Sequence, residues 1–429
     1  MSKYDTYKET DVIWFKELPA HWKRKRVKDV TQTLAGGTPD TSKEEYWEGS
    51  IPWLPSGKVQ NSIINEEDAD TFITEEGLKN SATKMLPAPA TLIALTGATC
   101  SNIGYLTFDA CANQSVVGMP GSSKILPKFL FYTLQSQKEQ ILLHQTGGAQ
   151  GGISESDVKF LFIPVPIESE QLTIANYLDN QTQKIDRLIA NKKAQVEKLK
   201  ELRQIEINNA VTKGLNPNAE MKDSGIEWLG KIPKHWEVKR LKNLANQISE
   251  KSSEILDDDF LVALENIESH TGKFIETASE YENNGIKFKK DNLLYNKLRP
   301  YLNKVFLADK DGICVGDIIV IECTTKLYPA FLQFRMLSDS FCSMIMSSVY
   351  GAKMPRTSWQ FISSLKIAYP TYEEQVQIVE HLNKRTLAIE RLIQNVNQQI
   401  EKLQELRKIK IYEAVTGKIK VNAYAETTA

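Results

Sequence analysis

Several clusters in this sequence have residue types that invite catalysis, and each lacks residues that the chemistry needs. Gly57-Lys58, Gly272-Lys273 and Gly417-Lys418 offer the Gly-Lys of a phosphate-cradling loop. That loop needs G-x-x-x-x-G-K-[ST], so that backbone amides wrap the phosphates and a hydroxyl holds magnesium. All three pairs lack the earlier Gly and the following hydroxyl. An amino-methyltransferase needs an Asn/Asp-Pro-Pro-aromatic motif, and the nearest stretch, Asn216-Pro217-Asn218-Ala219, has the wrong residues. A magnesium nuclease pairs an Asp with a downstream Glu-x-Lys. Asp317 and Glu322 begin that pattern, but Thr324 stands where the Lys belongs. The five His (His21, His144, His235, His270, His381) make no His-x-x-x-His or H-E-x-x-H spacing, so zinc is not expected. Asp257, Asp258 and Asp259 read as an exposed acidic loop. The cysteines (Cys100, Cys111, Cys314, Cys323, Cys342) are odd in number and contain no C-x-x-C. They suit a reducing cytosol and argue against a disulfide framework or a zinc ribbon. No catalytic residue, metal site or cofactor bound by this chain is expected.

If the chain does no chemistry, the elements that carry its other residues become the question, and they come in pairs. "LPAHWKRKRV" (Leu18 to Val27) is restated as "IPKHWEVKRL" (Ile232 to Leu241), and Trp14 and Trp228 each stand eight residues before the Trp of their phrase. Pro166 to Thr212 aligns without gaps on Pro370 to Thr416, with roughly half the positions identical, beyond what a shared period gives. Each copy reads as one long helix. Ile185, Leu188, Ile189, Val196, Leu199 and Leu202 form the first apolar stripe; Ile389, Leu392, Ile393, Val396, Ile400, Leu403 and Leu406 form the second. Lys192 interrupts the first where Val396 continues the second. Pro166 and Pro370 precede the helices, and Gly214 and Gly417 follow them. A helix of about 40 residues is roughly 60 Å long, and a narrow stripe of that length calls for a second helix of the same period. The other copy supplies it.

The blocks between, about Lys28 to Ile163 and Lys242 to Ala368, hardly resemble each other until their ends. There "LPKFLFYTL" answers "YPAFLQFRM", and "TGGAQGG" answers "VYGAKMP". Short β-like runs mark both: "ATLIAL", "NIGYLTF" and "LFIPV" in the first; "FLVAL", "DNLLYNKL", "GICVGDIIVIEC" and "SLKIAYP" in the second. The expected fold is α+β: two small α+β domains separated by two long helices in a coiled coil, with an internal repeat. The expected boundaries are 1–165, a first helix at 166–213, a linker at 214–225, a second domain at 226–369, a second helix at 370–417 and a tail at 418–429.

Apolar residues at 41% and charged residues at 25% are the balance of a soluble globular protein. No stretch approaches the roughly 18 apolar residues of a membrane span, so a cytoplasmic location with no membrane contact is expected. Lys and Arg number 53 against 54 Asp and Glu. If this chain binds nucleic acid, its positive charge is segregated or partners hold much of the phosphate. The basic run Lys23 to Lys28 resembles a nucleic-acid patch but is matched only weakly by "EVKRLK", and a solvated face is the competing reading.

The duplicated Trp…Pro-x-His-Trp phrases, the "EQ…I…L…ID/ERLI…E-K-L-x-E-L-R…AVT" helices, "NKLRPYLNKV" (Asn296 to Val305) and "GAKMPR" (Gly351 to Arg356) resemble the specificity subunit of type I restriction–modification systems. "GGTP" (Gly36 to Pro39), "IPWL" (Ile51 to Leu54) and "ANQSV" (Ala112 to Val116) look like counterparts in the first block. The resemblance covers essentially the whole chain. It implies that each block is a target recognition domain reading one half of a split, asymmetric double-stranded DNA target. It implies helices paired antiparallel in a pseudo-two-fold arrangement, which dock two methyltransferase subunits that use S-adenosylmethionine to methylate adenine N6. Restriction/translocase subunits using ATP and Mg would add cleavage. Two half-sites about one helical turn apart need a rigid spacer, and an enzyme that flips a base needs only a platform. His21, Trp22, His235 and Trp236 are then structural, bracing each domain against its helix, with partner contact as the competing reading.

Base-reading candidates follow from side-chain chemistry: Arg and Lys suit guanine, Asn and Gln suit adenine, and Lys, Ser and Thr suit phosphate. In the second block these are Lys297, Arg299, Tyr301, Lys304, Lys353 and Arg356, where basic, aromatic and Pro-turn residues coincide. In the first they are Lys58, Thr99, Ser101, Asn113, Gln114, Gln145 and Gln150, in polar, Gly-rich segments. For any one of them, plain surface or turn placement is the competing reading. Two other functions stay open: a nuclease or methyltransferase with an unrecognised site, and a coiled-coil scaffold that joins proteins without reading DNA.

Overall fold

The computed structural model describes residues 2–146, 151–252, 259–277, 284–349 and 354–422. It divides into two units, residues 1–191 with 399–429, and residues 192–398. Each contains one domain and two half-rods.

The first unit is built on a five-stranded sheet in the order Leu34–Ala35, Val116–Pro120, Ala90–Ala94, Ile103–Leu106, Ile63–Ile64. Every residue of Ala90–Ala94 is buried, which is why this run is continuously apolar apart from Thr91. Thr91 is tolerated because its hydroxyl donates to the Pro127 carbonyl at 2.7 Å, fastening the helix Pro127–Ser136 across the sheet. That helix starts on Pro, which lacks only an amide the first turn leaves unpaired anyway. Trp47–Leu54 lies between Cys111–Ala112 and Phe72–Ile73 in a second, smaller sheet.

The second unit repeats this plan. Its main sheet runs Ala245–Ile248, Ile318–Cys323, Leu293–Asn296, Val305–Leu307, with the helix Pro329–Leu337 after it, and its smaller sheet pairs Leu261–Val262 parallel to Gly312–Cys314. The first domain pairs Trp47–Leu54 with Cys111–Ala112 in the same parallel sense. Blocks that share little sequence therefore share the order of four main-sheet strands and this parallel pair, because buried strands accept many apolar combinations at equal volume, while the smaller sheets differ in their remaining strands. The segment expected as a linker holds a strand, Met221–Asp223, paired with Lys231–Pro233. It is the counterpart of the hairpin Tyr7–Val12 and Phe15–Pro19.

The rods are Glu168–Lys213 and Tyr372–Val415. In the first unit Ile174, Tyr177 and Leu178, early in one rod, share a core with Ile411, Ala414 and Val415, late in the other. Further along, Arg407 meets Asp186 at 2.9 Å, so the segments run antiparallel. In the second unit Ile207 and Val211 share a core with Ile378 and Leu382, and Arg385 meets Glu206 at 2.7 Å. Ile185, Ile189, Val196, Ile389 and Val396 are buried, and Leu199, Ile393, Ile400 and Leu403 are half-buried. The apolar stripes need one correction. Leu188, Leu202, Leu392 and Leu406 are 49%, 39%, 54% and 41% exposed and lie off the seam. A repeat of 3.5 residues admits one of two adjacent positions. Ile189 and Ile393 take it from Leu188 and Leu392, and Arg203 and Arg407 take it from Leu202 and Leu406. Burial lowers the pKa of Arg203, and its guanidinium donates to the His270 carbonyl at 2.8 Å.

The His-Trp phrases meet the first turn of the rods. Trp22 and Trp236 are fully buried. His21 Nε2 lies 3.0 Å from Glu170, and His235 Nε2 lies 2.8 Å from Glu374, which also accepts from Trp236 Nε1 at 3.1 Å. The next residue faces the other way. Gln171 accepts from the Leu126 amide at 2.8 Å, and Gln375 from the Tyr328 amide at 2.7 Å, each at the start of the helix on its domain's main sheet. Each amide group also donates to two carbonyls, those of Lys124 and Pro166 or of Lys326 and Pro370. A Glu-Gln dipeptide thus clamps domain to rod on both sides.

Candidate nucleic-acid interface

In the second domain, strands Leu293–Asn296 and Val305–Leu307 are joined by the loop Lys297 to Lys304. A tight turn at Pro300–Leu302 is bracketed by two left-handed residues, Arg299 at φ 50° and Asn303 at φ 45°. The Leu302 amide donates to the Arg299 carbonyl and the Asn303 amide to the Pro300 carbonyl, both at 2.9 Å. Asn303 is buried, and its side chain donates to the Leu337 carbonyl at 3.0 Å. The Arg299 amide donates to the Pro355 carbonyl at 2.8 Å, and the Thr357 amide to the Lys297 carbonyl at 3.0 Å. Asp317 gathers the charges: its carboxylate meets Arg356 at 2.8 Å and Lys297 at 3.4 Å, and its carbonyl accepts from the Lys297 amide at 2.9 Å.

Of the residues singled out in this block, Lys297, Arg299 and Arg356 therefore meet around one loop. Tyr301, 45% exposed, stands on its outer turn. Lys304 turns inward, where its ammonium donates to the Leu264 carbonyl at 2.6 Å and burial lowers its pKa. Arg299 is exposed, and its guanidinium has no hydrogen bond or ion pair among the described residues. Lys353 lies outside the described residues.

The first domain has the same loop between Ala90–Ala94 and Ile103–Leu106. Its turn, Gly97–Thr99, opens on one left-handed residue, Gly97 at φ 68°, and is followed after Cys100 by another, Ser101 at φ 66°. The Cys100 amide donates to the Gly97 carbonyl at 3.0 Å, the Leu95 amide to Ser115 at 2.8 Å, and the Ile153 amide to Leu95 at 2.8 Å. These are the bonds that Leu302, Lys297 and Thr357 make in the other domain. Leu95 to Asn102 thus matches Lys297 to Lys304 position for position, while the side chains differ. Where the second domain has Lys297, Arg299, Asp317 and Arg356, the first has Leu95, Gly97, Ser115 and Gly152.

Hydroxyl and amide groups line the first domain's version. Thr96 and Ser115 are bonded through their hydroxyls at 2.8 Å, and the Thr38 hydroxyl donates to the exposed Gln114. Asn113 accepts from the Ser115 amide at 3.1 Å, and Thr99 lies half-buried beside Thr96. Gly36 and Gly37 bond to the Val116 and Ala112 carbonyls, and Trp53 Nε1 donates to the Gly37 carbonyl at 2.9 Å. Any side chain at Gly36 would sit 2.1 Å from the Asn113 carbonyl oxygen. "GGTP", "IPWL" and "ANQSV" therefore converge. Ser101 is fully buried within the turn, Gln145 is exposed after the helix Lys138–Leu142, and Lys58 is paired with Asp70 at 2.7 Å. Gln150 lies outside the described residues. Thr38, Thr96, Ser115 and Asp317 were not identified as reading candidates from sequence. Thr38 and Ser115 lie within "GGTP" and "ANQSV", but it is the strand register that brings all four beside their loops.

Among the described residues no group of three or more His, Cys, Asp or Glu could hold a metal ion, and no helix is long and apolar enough to cross a membrane. What both loops present is a rigid backbone with outward donors and acceptors, the chemistry of base and phosphate recognition.

The family described as "Type I restriction modification DNA specificity domain" matches twice, at residues 19–198 and 233–402. The chain belongs to this family. It is a type I specificity subunit with two recognition domains. It is 25% identical over 439 residues to the type I restriction enzyme MjaIX specificity subunit of Methanocaldococcus jannaschii, covering 97% of this chain and 96% of the relative. It is also 25% identical to the EcoDI specificity subunit of Escherichia coli, covering 88% and 89%. Its fold matches a chain from a structural study of assembly and conformational transition in the type I R-M system, at a TM-score of 0.71 and 13% identity over 94% of this chain and 99% of that one. The HsdS subunit from Thermoanaerobacter tengcongensis matches at a TM-score of 0.50 and 13% identity, over 94% and 98%.

Proposed function

We propose that this specificity subunit is the non-catalytic, DNA-reading part of a type I restriction–modification complex, each domain reading one half of a bipartite, asymmetric duplex target. The observation that carries this reading is one loop frame used twice with unlike side chains: cationic in the second domain, neutral and hydroxyl-rich in the first. Equivalent frames suit equivalent approach to DNA, and unlike side chains suit unlike bases. The duplicated rods set the spacing of the half-sites and hold two methyltransferase subunits, a duplicated surface matching two copies of one partner. Those partners bind S-adenosylmethionine and methylate adenine N6; restriction subunits, where present, supply ATP- and Mg-dependent cleavage. The complex works in the cytoplasm. A formal net charge of −1 fits a subunit whose partners hold much of the phosphate backbone.

The test is to map methylated adenines in cells carrying the chain with its methyltransferase, then exchange residues 242–368 for another recognition block. The expected result is a bipartite motif of which one half changes. Methylation by the purified chain alone, or a motif unaltered by the exchange, overturns the reading.

A further inference from the structure

From the matched loops we infer that Arg299 is the specificity-determining residue of the second domain and reads a guanine through the major-groove edge. The inference rests on the function proposed above and names the side chain that carries half of it. The left-handed region is disfavoured for residues with a Cβ and free for Gly. At the first of the loop's two left-handed positions the first domain has Gly97, at φ 68°, and the second has Arg299, at φ 50°. The second domain thus holds a bulky side chain where the frame favours none. The conformation is enforced by backbone bonds on both sides, to the Pro355 carbonyl and from the Leu302 amide.

The neighbouring charges are arranged to leave this group free. The Asp317 carboxylate engages both Arg356 and Lys297, and Lys304 is held by the Leu264 carbonyl, so three of the four described cations around the loop are already engaged. Arg299 alone of them extends unpartnered among the described residues. A guanidinium fork on a rigid turn matches the two acceptors, O6 and N7, that guanine shows in the major groove. Tyr301, two residues on and exposed, offers an aromatic face and a hydroxyl beside it.

The experiment uses the full chain assembled with its methyltransferase, comparing wild type with Arg299→Gly and Arg299→Lys. Arg299→Gly places at this position the residue that the first domain already uses, so the fold is retained. The probes are host genomic DNA, read by mapping methylated adenines, and duplexes carrying each of the four bases at the affected position. The expected result is loss of preference for one guanine, roughly tenfold or more, in the half-target of the second domain, with the other half unchanged. Arg299→Lys keeps the charge and loses the fork, so it also relaxes that position. Unchanged base preference in Arg299→Gly overturns the inference. So does an equal loss on all sequences with a weaker salt dependence, which marks a phosphate contact. A wild-type complex without any bipartite motif removes the underlying function as well, and is told apart by that control.

Discussion

A charged residue can be put to work or silenced by one neighbour. Asp317 begins a nuclease-like motif in the sequence; in the fold its carboxylate organises Lys297 and Arg356 instead. Asp317→Asn is expected to free both cations, raising affinity for duplexes of every sequence and steepening the salt dependence of binding, measured by titration at several salt concentrations. The cysteines give a second prediction. Burial pushes the Cys314 thiol up to about 12, and burial with the adjacent Glu322 charge does the same for Cys323, against an ordinary value of 9.0. The folded state therefore keeps protons that the unfolded state releases first. This contribution is intact below pH 9 and is lost as pH rises toward 12. Denaturant melts are expected to show stability falling over that window, and Cys314→Val to shallow the fall. The types of the candidate reading residues were legible in sequence, but their grouping was not. An Arg does not announce a positive φ, and Lys304 looks as available as Lys297 until its ammonium is found on the Leu264 carbonyl.

Among the elements, the rods were the most legible, because two copies of one period reinforce each other. What the pattern could not decide was which of two adjacent leucine or isoleucine positions faces the seam. Ile189→Ala is expected to cost about 2–5 kcal/mol, and Leu188→Ala less than about 0.5 kcal/mol, by equilibrium unfolding. Equal costs would place Leu188 in the seam alongside Ile189. The recognition domains were legible as α+β but not as sharing the order of four main-sheet strands, since the register of short strands leaves little trace in composition. The Glu-Gln clamp lay in plain view within the repeated segment, yet its role needs the positions of helix starts far along the chain. Gln375 is fully buried and makes three hydrogen bonds. Gln375→Ala leaves at least one buried backbone group unpaired, an expected loss of about 1–3 kcal/mol by the same measurement.

For the molecule as a whole, each unit is closed by a segment from the other repeat. The first domain's core takes in Ile411, Ala414 and Val415, Tyr412 donates to the Trp14 carbonyl at 3.0 Å, and the Lys420 amide donates to the Ser2 carbonyl at 2.8 Å. The second unit, residues 192–398, is continuous in sequence. A chain ending at residue 398 is therefore expected to keep the second unit's hydrogen-exchange protection and lose that of the first, and equal protection in both would contradict the division. The same closure bears on synthesis. Residues 2–191 leave the ribosome long before residues 399–422 exist, so the domain made earliest is the one completed latest, its core waiting on Ile411, Ala414 and Val415 after the second unit's residues are all made.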